Sequence, residues 1–215
     1  MAYQYILFDL DGTLTDSGVG IINSVRYALR HYGIEGDPQS LRRFVGPPLI
    51  NSFMEFYGFS EEQAREAVEF YREYYRARGI FENCLYPGIP ELLAALMKRG
   101  KKLALATSKP TVFARQILNH FQLHPYFMEE LVIGSYLDGR RTRKDEVIVA
   151  VLALLPPEKE KIVMVGDRKY DVEGAQANGI AAIGVTYGYG EPAELEKARP
   201  EQIARTVADL FTLLL

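Results

Sequence analysis

Two aspartates follow directly after a short apolar run near the start of the chain. The run is Tyr5-Ile6-Leu7-Phe8, and its β-prone residues are typical of a buried strand in an α/β sheet. On an extended chain residues i and i+2 point to the same side, so Asp9 and Asp11 can face one small volume while Gly12 lets the backbone turn away. Open α/β sheets bind ligands at this edge. Because like charges at close range cannot both stay bare, the pair predicts a bound cation or a shared proton.

The same residues also fit a plain turn. Asp-Gly between apolar residues is a strong hairpin signal, so Asp11-Gly12 alone leaves a turn and a chemical site equally open. The chemical interpretation gains support further along the chain, where more polar pieces follow apolar runs at the places where strands would end.

The composition fits one α/β core of ordinary size with an insertion. The chain has 215 residues, of which 48% are hydrophobic and 25% charged, and its net charge of −3 without a basic block argues against a nucleic-acid groove. Cys84 is the single cysteine, which excludes an internal disulfide and fits a reducing cytosol. The N-terminal run is interrupted by acids, unlike a signal peptide, and no run approaches the roughly 18 residues of a membrane span. We expect a soluble cytoplasmic protein without a membrane partner, whose oligomeric state the sequence does not indicate.

From residue 86 onward strand and helix patterns alternate. The expected strands share an apolar run that ends at a polar or glycine residue, and they cover residues 102–106, 131–133, 161–165 and 181–185. Strands that alternate with helices predict a parallel sheet with right-handed crossovers. Together with the first strand, this sheet predicts an α/β core domain of residues 1–15 and 86–215.

Residues 16–85, between the first strand and the rest, show no convincing strand. Their helical patterns are interrupted at Gly46-Pro47-Pro48, and Ser60 and Gln63 have the spacing of a capping box at a helix start. Aromatic side chains are frequent here and fit a hydrophobic core of this segment's own. The segment is therefore predicted to be an inserted all-helical domain.

Three polar pieces stand at candidate strand ends or helix starts. Thr107-Ser108 precedes a helix, where a hydroxyl and free backbone N–H groups suit a phosphate, although an ordinary helix cap fits too. Lys144 opens a helix, a position that the helix dipole disfavours for a cation, so it indicates an anionic partner unless it is a surface lysine of the basic run 140–144. Asp167 follows a buried strand and Asp171 lies one helical turn on, so both can point to one edge; the alternative is that a helix N-terminus simply favours acids.

Taken in order, these pieces resemble the motifs of the haloacid dehalogenase superfamily. The first motif, DxDGT, fits Asp9-Leu10-Asp11-Gly12-Thr13-Leu14; Thr107 fits the second, Lys144 the third, and Gly166-Asp167 with Asp171 the fourth, GDxxxD. The first and fourth motifs are specific, whereas the second and third count only in this order. The resemblance spans nearly the whole chain and implies a Rossmann-like three-layer core whose first and fourth strands are neighbours.

The insertion between the first and second motifs is similar to the family's helical cap domain. Within that class the chain looks most like the phosphoglycolate phosphatase-like group and its relatives known as 5'-nucleotidases, whose cap loop resembles Phe44-Val45-Gly46-Pro47-Pro48-Leu49. Beside this loop, Arg42 or Arg43 would suit a carboxylate such as that of glycolate, whereas cap aromatic rings would suit a nucleobase. We expect Arg43, Gly46 and Pro47 to contact a substrate, with phosphoglycolate, nucleoside monophosphates, phosphotyrosine and sugar phosphates all open.

The resemblance also implies Mg²⁺ as the cofactor. Its ligands would be Asp9, Asp11 through its backbone carbonyl, Asp167 and, directly or through the other ligands, Asp171. Such oxygen ligands suit Mg²⁺, which prefers a few carboxylates, several waters and a substrate phosphate. The residues implied to hold the phosphoryl oxygens are Thr107, Ser108, Lys144 and Gly12.

The implied reaction is hydrolysis of a small phosphorylated metabolite in two steps. Asp9 attacks phosphorus and becomes an aspartyl-phosphate, while Asp11 protonates the leaving alkoxide and then deprotonates the attacking water. An aspartate at position 11 favours a phosphatase or a phosphomutase within the family. Both a β-phosphoglucomutase-like enzyme and a phosphonate hydrolase are disfavoured, because residues 17–85 contain no lysine.

Two functions without catalysis compete with this interpretation. A receiver-like phosphoacceptor signalling module also uses an aspartate, Mg²⁺, a hydroxyl residue and a lysine, but its acceptor follows the third strand and it has no cap. A catalytically idle protein that acts through contacts is disfavoured because every reacting position is filled. The sequence therefore favours an enzyme.

Overall fold

The computed structural model describes residues 3–215, which divide into two compact units. One unit consists of residues 16–84, and the other of the residues up to 15 together with those from 85 onward. The second unit contains the sheet and is called the sheet unit below; the first is called the helical unit.

The strands, in chain order, are β1 (Tyr5–Phe8), β2 (Thr15–Asp16), β3 (Cys84–Leu85), β4 (Lys102–Pro110), β5 (Val132–Ser135), β6 (Ile162–Gly166), β7 (Ala181–Val185) and β8 (Gln202–Ala204). The α-helices are α1 (Gly18–Arg30), α2 (Leu49–Tyr57), α3 (Glu61–Ala77), α4 (Ile89–Lys98), α5 (Thr111–His120), α6 (Lys144–Leu152), α7 (Lys169–Ala177), α8 (Pro192–Ala198) and α9 (Val207–Leu214). Short 3-10 helices cover Ser40–Phe44, Gly79–Phe81, His124–Tyr126, Glu129–Leu131 and Lys159–Lys161. Between residues 3 and 215, no helix combines the length and the apolar character that a membrane crossing requires.

Six strands form one parallel sheet in the order β5-β4-β1-β6-β7-β8. Phe8, the last residue of β1, pairs with Leu105 of β4 on one side and with Val165 of β6 on the other. The carboxyl ends of these three strands therefore meet at one edge of the sheet. The α/β class with a parallel sheet is confirmed. The expected pairing of the first strand with the fourth strand of the core, here β1 with β6, is confirmed as well.

Burial on both faces explains the unbroken apolar strands. Residues Ile6, Leu7 and Phe8 have no exposed surface. On one face Leu7 belongs to a cluster with Val147 of α6 and Val172 of α7. A parallel sheet covered by helices on both faces favours such continuous hydrophobic runs.

Some boundaries differ from those expected from sequence. β4 continues past residue 106 to Pro110, because the polar segment Thr107–Lys109 stays extended and Pro110 pairs with Ser135 of β5. Neither β8 nor α8 was expected from the sequence. The three residues of β8 form no apolar run, and β8 is the outermost strand of the sheet. The expectation of no strand in residues 16–85 is wrong only at its ends, where the two-residue strands β2 and β3 pair.

The helical unit owes its form to local signals. The Ser60 hydroxyl accepts a hydrogen bond from the Gln63 backbone N–H at 3.2 Å, and the Gln63 side chain accepts one from the Ser60 N–H at 3.0 Å. This is the expected capping box, and it starts α3. The break at Gly46-Pro47-Pro48 is also confirmed, because α2 begins at Leu49, directly after Pro48.

Candidate active site

The ends of β1 and β6 place two aspartates side by side. The Asp9 backbone N–H donates to the Val165 carbonyl at 2.9 Å, which extends the pairing of β1 and β6 by one residue. Asp167 follows the last residue of β6, and Asp171 lies in the first turn of α7. The register of two parallel strands thus brings together carboxylates that are 158 positions apart or more in the sequence.

Asp9, Asp167 and Asp171 form a buried cluster of carboxylates. Each offers one oxygen, and these oxygens lie within 4.8 Å of one another. The residues are 5%, 0% and 1% exposed. Acids are rarely this buried unless they are paired or hold a metal, so the cluster needs positive charge.

Lys144 supplies part of that charge from the start of α6. Its ammonium nitrogen lies 2.9 Å from Oδ1 of Asp9 and 2.7 Å from Oδ1 of Asp171, and it donates to the Ala106 carbonyl at 3.0 Å. The side chain is 4% exposed. The alternative of a surface lysine in the run 140–144 is therefore wrong.

The cluster carries more negative than positive charge. Burial raises the pKa of Asp167 well above its usual value, and the carboxylates of Asp171 and Asp9 raise it further. Burial also raises the pKa of Asp171, to about 6, although Lys144 opposes this. Burial alone would lower the pKa of Lys144, but the two carboxylates raise it. Three carboxylates share one ammonium group, so negative charge is left over. Their oxygen atoms are the ligands that a hard divalent cation prefers.

The Asp11 carboxylate pairs with a different lysine. Its Oδ2 lies 3.0 Å from the ammonium nitrogen of Lys109, and its buried Oδ1 accepts no hydrogen bond from residues 3–215. The Asp11 carboxylate is not part of the cluster of three, so the prediction for this residue as a metal ligand concerns its backbone carbonyl alone. Sequence reasoning did not select Lys109. The signal was present, because on an extended strand Lys109 points to the same side as Thr107.

The residues implied to hold a phosphoryl group lie at the same edge of the sheet. Thr107 is 1% exposed, and its hydroxyl accepts the Lys109 backbone N–H at 3.2 Å. The Ser108 carbonyl accepts a hydrogen bond from the Ser135 hydroxyl at 2.8 Å. Gly12 has a φ of +83°, and a Cβ added there would overlap the Asp167 carboxylate. Glycine is thus required where the first motif passes the fourth.

The three candidate substrate residues of the helical unit lie in and after its first 3-10 helix. Arg43 is exposed, and its guanidinium lies 4.0 Å from the centre of the Phe56 ring. Gly46 has a φ of +106°, and Pro47 is partly buried. Their contact with a substrate stays a prediction.

A further set of residues near Asp167 was not anticipated. The Tyr189 backbone N–H donates to Oδ2 of Asp167 at 2.7 Å, and the Tyr187 hydroxyl donates to the Thr13 carbonyl at 3.0 Å. Arg168, the residue before α7, pairs with Glu194 of α8 at 2.9 Å. The only sequence signal was the position of Thr186-Tyr187-Gly188-Tyr189-Gly190 after an apolar strand.

Comparison with known proteins agrees with this geometry. Residues 6–185 match the haloacid dehalogenase-like hydrolase family. A protein of Pseudomonas aeruginosa named 5'-nucleotidase is 48% identical over 215 residues, which cover 100% of this chain and 96% of the relative. A Mycobacterium tuberculosis protein named tyrosine-protein kinase PtkA is 45% identical over 197 residues, which cover 90% of this chain and 66% of that longer protein.

Solved structures of phosphatases also match this chain. The crystal structure of a predicted phosphatase from Clostridium acetobutylicum superposes with a TM-score of 0.95 and 48% identity, covering 100% of this chain and 99% of that one. The matched residues 6–185 span the positions of all four motifs. The chain therefore belongs to the haloacid dehalogenase-like hydrolase family, and it is one of the family's phosphatases.

Proposed function

We propose that the enzyme is a Mg²⁺-dependent phosphatase of small phosphate monoesters that works through an aspartyl-phosphate at Asp9. One observation carries the proposal: Asp9 lies in a buried cluster with Asp167 and Asp171, and Lys144 contacts its carboxylate at 2.9 Å. A buried carboxylate next to a fixed ammonium group and a cation site suits attack on an anionic phosphoryl group.

In the first step Asp9 attacks phosphorus, and the bond between phosphorus and the ester oxygen breaks. Asp11 gives its proton to the leaving alkoxide, so an alcohol departs and Asp9 carries the phosphoryl group. In the second step Asp11 takes a proton from water, whose oxygen attacks phosphorus, and the bond between phosphorus and the Asp9 carboxylate oxygen breaks. Inorganic phosphate leaves, and both aspartates return to their starting state.

The other residues hold charge in place. Mg²⁺, when bound, would neutralise the phosphoryl oxygens and orient them for in-line attack. We assign its ligands to Asp9, Asp167 and the Asp11 carbonyl, with Asp171 as a ligand or a support of the ligands. The residues assigned to the phosphoryl oxygens are Lys144, Thr107, the backbone of Ser108 and Gly12.

We further propose that the helical unit, residues 16–84, is a cap that selects the substrate through Arg43, Gly46 and Pro47. A nucleoside 5'-monophosphate is the first candidate, because the relative named 5'-nucleotidase matches this chain along its whole length. Phosphotyrosine is the second, because another relative is named for tyrosine phosphorylation. Phosphoglycolate and sugar phosphates belong in the same test.

We also propose a cytoplasmic location, because Cys84 is the single cysteine and forms no disulfide.

The test is release of inorganic phosphate from p-nitrophenyl phosphate and from a panel of these four substrate classes, with Mg²⁺ and with EDTA. Asp9→Asn should abolish turnover, whereas Asp138→Asn, which changes an exposed loop aspartate, should leave it unchanged. Asp11→Asn should still form a phosphoenzyme but turn over poorly. Turnover that persists in Asp9→Asn, or in EDTA, would contradict the mechanism.

A further inference from the structure

The loop between β7 and α8, residues 186–191, lies against the most buried carboxylate of the site. The Tyr189 backbone N–H donates to Oδ2 of Asp167 at 2.7 Å. Asp167 has no exposed surface, and this bond fixes one of its two oxygens. The loop therefore helps to orient the Asp167 carboxylate at the end of β6, together with the Thr13 hydroxyl, which donates to Oδ1 at 3.5 Å.

The same loop also contacts the first motif. The Tyr187 hydroxyl donates to the Thr13 carbonyl at 3.0 Å, and its ring packs edge-to-face on Tyr86 with the centroids 4.8 Å apart. Burial, Asp167 and Tyr86 all raise the pKa of Tyr187, so the hydroxyl keeps its proton and remains a donor. One side chain thus ties the loop that carries Asp11 and Gly12 to the loop that carries Tyr189.

Two glycines show how closely the loop approaches. A Cβ added to Gly188 would overlap both the Gly12 carbonyl and the Asp167 side chain, and a Cβ added to Gly190 would overlap the Asp167 carbonyl. Only glycine fits at such approaches of backbone to backbone. The loop is therefore packed between the first and fourth motifs.

Glu194 holds the two residues that follow Asp167 in the chain, Arg168 and Lys169. Its carboxylate accepts the Lys169 backbone N–H at 2.9 Å and pairs with the Arg168 guanidinium at 2.9 Å. The Arg168 backbone N–H in turn donates to Oδ2 of Asp171 at 3.0 Å. The segment 186–194 thus braces Asp167 directly and Asp171 through Arg168.

We propose that segment 186–194 sets the affinity of the site for its divalent cation, with Tyr187 as a positioning residue. The inference rests on the proposed function, because it assumes the cation site at Asp9, Asp167 and Asp171. Without a divalent cation the three carboxylates still repel one another, because Lys144 contacts only two of them. The loop opposes their separation, so the ligands are already in place when the ion arrives and less free energy is lost in ordering them.

The experiment is a direct measurement of cation binding, by calorimetry with Mg²⁺ and by electron paramagnetic resonance with Mn²⁺. Tyr187→Phe removes the hydroxyl and keeps the ring against Tyr86. We expect its dissociation constant for the cation to rise about tenfold, within the range typical of residues that orient metal ligands. The Mg²⁺ concentration that gives half-maximal turnover should rise with the dissociation constant.

Tyr126→Phe is the matched control, because it also removes a tyrosine hydroxyl. Tyr126 precedes the amino end of β5, whereas the site lies at the carboxyl ends of the strands. It should bind the cation like the wild type. Gly190→Ala should weaken binding more strongly than Tyr187→Phe, because its Cβ displaces the backbone of Asp167.

The outcomes separate the two proposals. Unchanged cation affinity in Tyr187→Phe, with a wild type that binds the ion, would overturn this inference and leave the proposed function intact. A lower melting temperature of the cation-free variant with an unchanged dissociation constant would show a merely structural role and would also overturn it. Absence of cation binding in the wild type would overturn the proposed function itself.

Discussion

The ammonium nitrogen of Lys109 lies 3.0 Å from Oδ2 of Asp11, and the two side chains are only 6% and 11% exposed. The site thus contains two separate groups of acid and cation, Lys144 with Asp9 and Asp171, and Lys109 with Asp11. This separation gives the two aspartates of the first motif different surroundings, as their proposed roles of nucleophile and acid–base group require. Lys109 is therefore expected to orient Asp11 for proton exchange.

Lys109→Met should lower kcat by about tenfold or more, because a mispositioned acid–base group loses part of the roughly 10²–10⁴-fold that such groups contribute. Cation binding should change little, since the Asp11 carboxylate lies outside the cluster of three. Steady-state kinetics and cation titration check both points. Lys102→Met, at the opposite end of the same strand and exposed, is the control. Weaker cation binding with kcat intact would contradict the assigned role.

Lys144→Met should destabilise the cation-free protein by about 3–5 kcal/mol, because removal of one partner leaves buried charges without compensation. Asp9 and Asp171 would then face each other without the ammonium group that now contacts both. Urea denaturation in EDTA measures the loss, and added Mg²⁺ should recover part of it. Lys169→Met, at the start of α7 and partly buried, provides the comparison. A loss equal to that of Lys169→Met would show that Lys144 is not needed to balance the cluster.

Asp167→Asn should stabilise the cation-free protein at neutral pH. The pKa of Asp167 is raised in the folded state, so the folded protein holds this proton to higher pH than the unfolded chain does. The stability that the proton provides is complete below the unfolded pKa of about 3.9 and is lost as the pH rises through the folded pKa. The asparagine variant avoids that loss, although Asp171, whose pKa is also raised, leaves part of the pH dependence.

The measurement is thermal unfolding in EDTA between pH 4.5 and 8. At pH 7 the variant should melt higher, by roughly 2–4 °C for each kcal/mol gained. With Mg²⁺ the order should reverse, because only the wild type gains stability from the ion. A variant that melts lower than the wild type in EDTA at pH 7 would contradict the charge balance described for the cluster.

Sequence reasoning could reach the positions that strand ends and helix starts determine. Asp9 and Asp167 follow buried strands, Lys144 starts a helix, and the parallel order of the sheet brings all three together. Lys109 was missed because the apolar run ended at residue 106, whereas the strand continues to Pro110. An extended polar segment held by pairing to a neighbouring strand has no hydrophobic pattern to reveal it.

The contacts of segment 186–194 were beyond such reasoning for a different reason. Tyr187 and Tyr189 contact residues more than 20 positions away, through one hydroxyl and one backbone N–H. Neither bond follows from propensity or periodicity, because both depend on how the loop packs after the sheet has formed. The Ser60 capping box is the opposite case, since both partners lie within four residues and the sequence specifies them.

That local origin makes Ser60→Ala a test of stability without chemistry. The substitution removes the acceptor for the Gln63 N–H at the start of α3, so we expect a loss of about 1 kcal/mol, typical of an N-cap serine. Thermal unfolding should show the lower melting temperature, whereas phosphate release at 25 °C, well below the transition, should keep its kcat. Gln63→Ala, which removes the reciprocal bond, should act in the same direction. A fall in kcat without loss of stability would instead connect the start of α3 to catalysis.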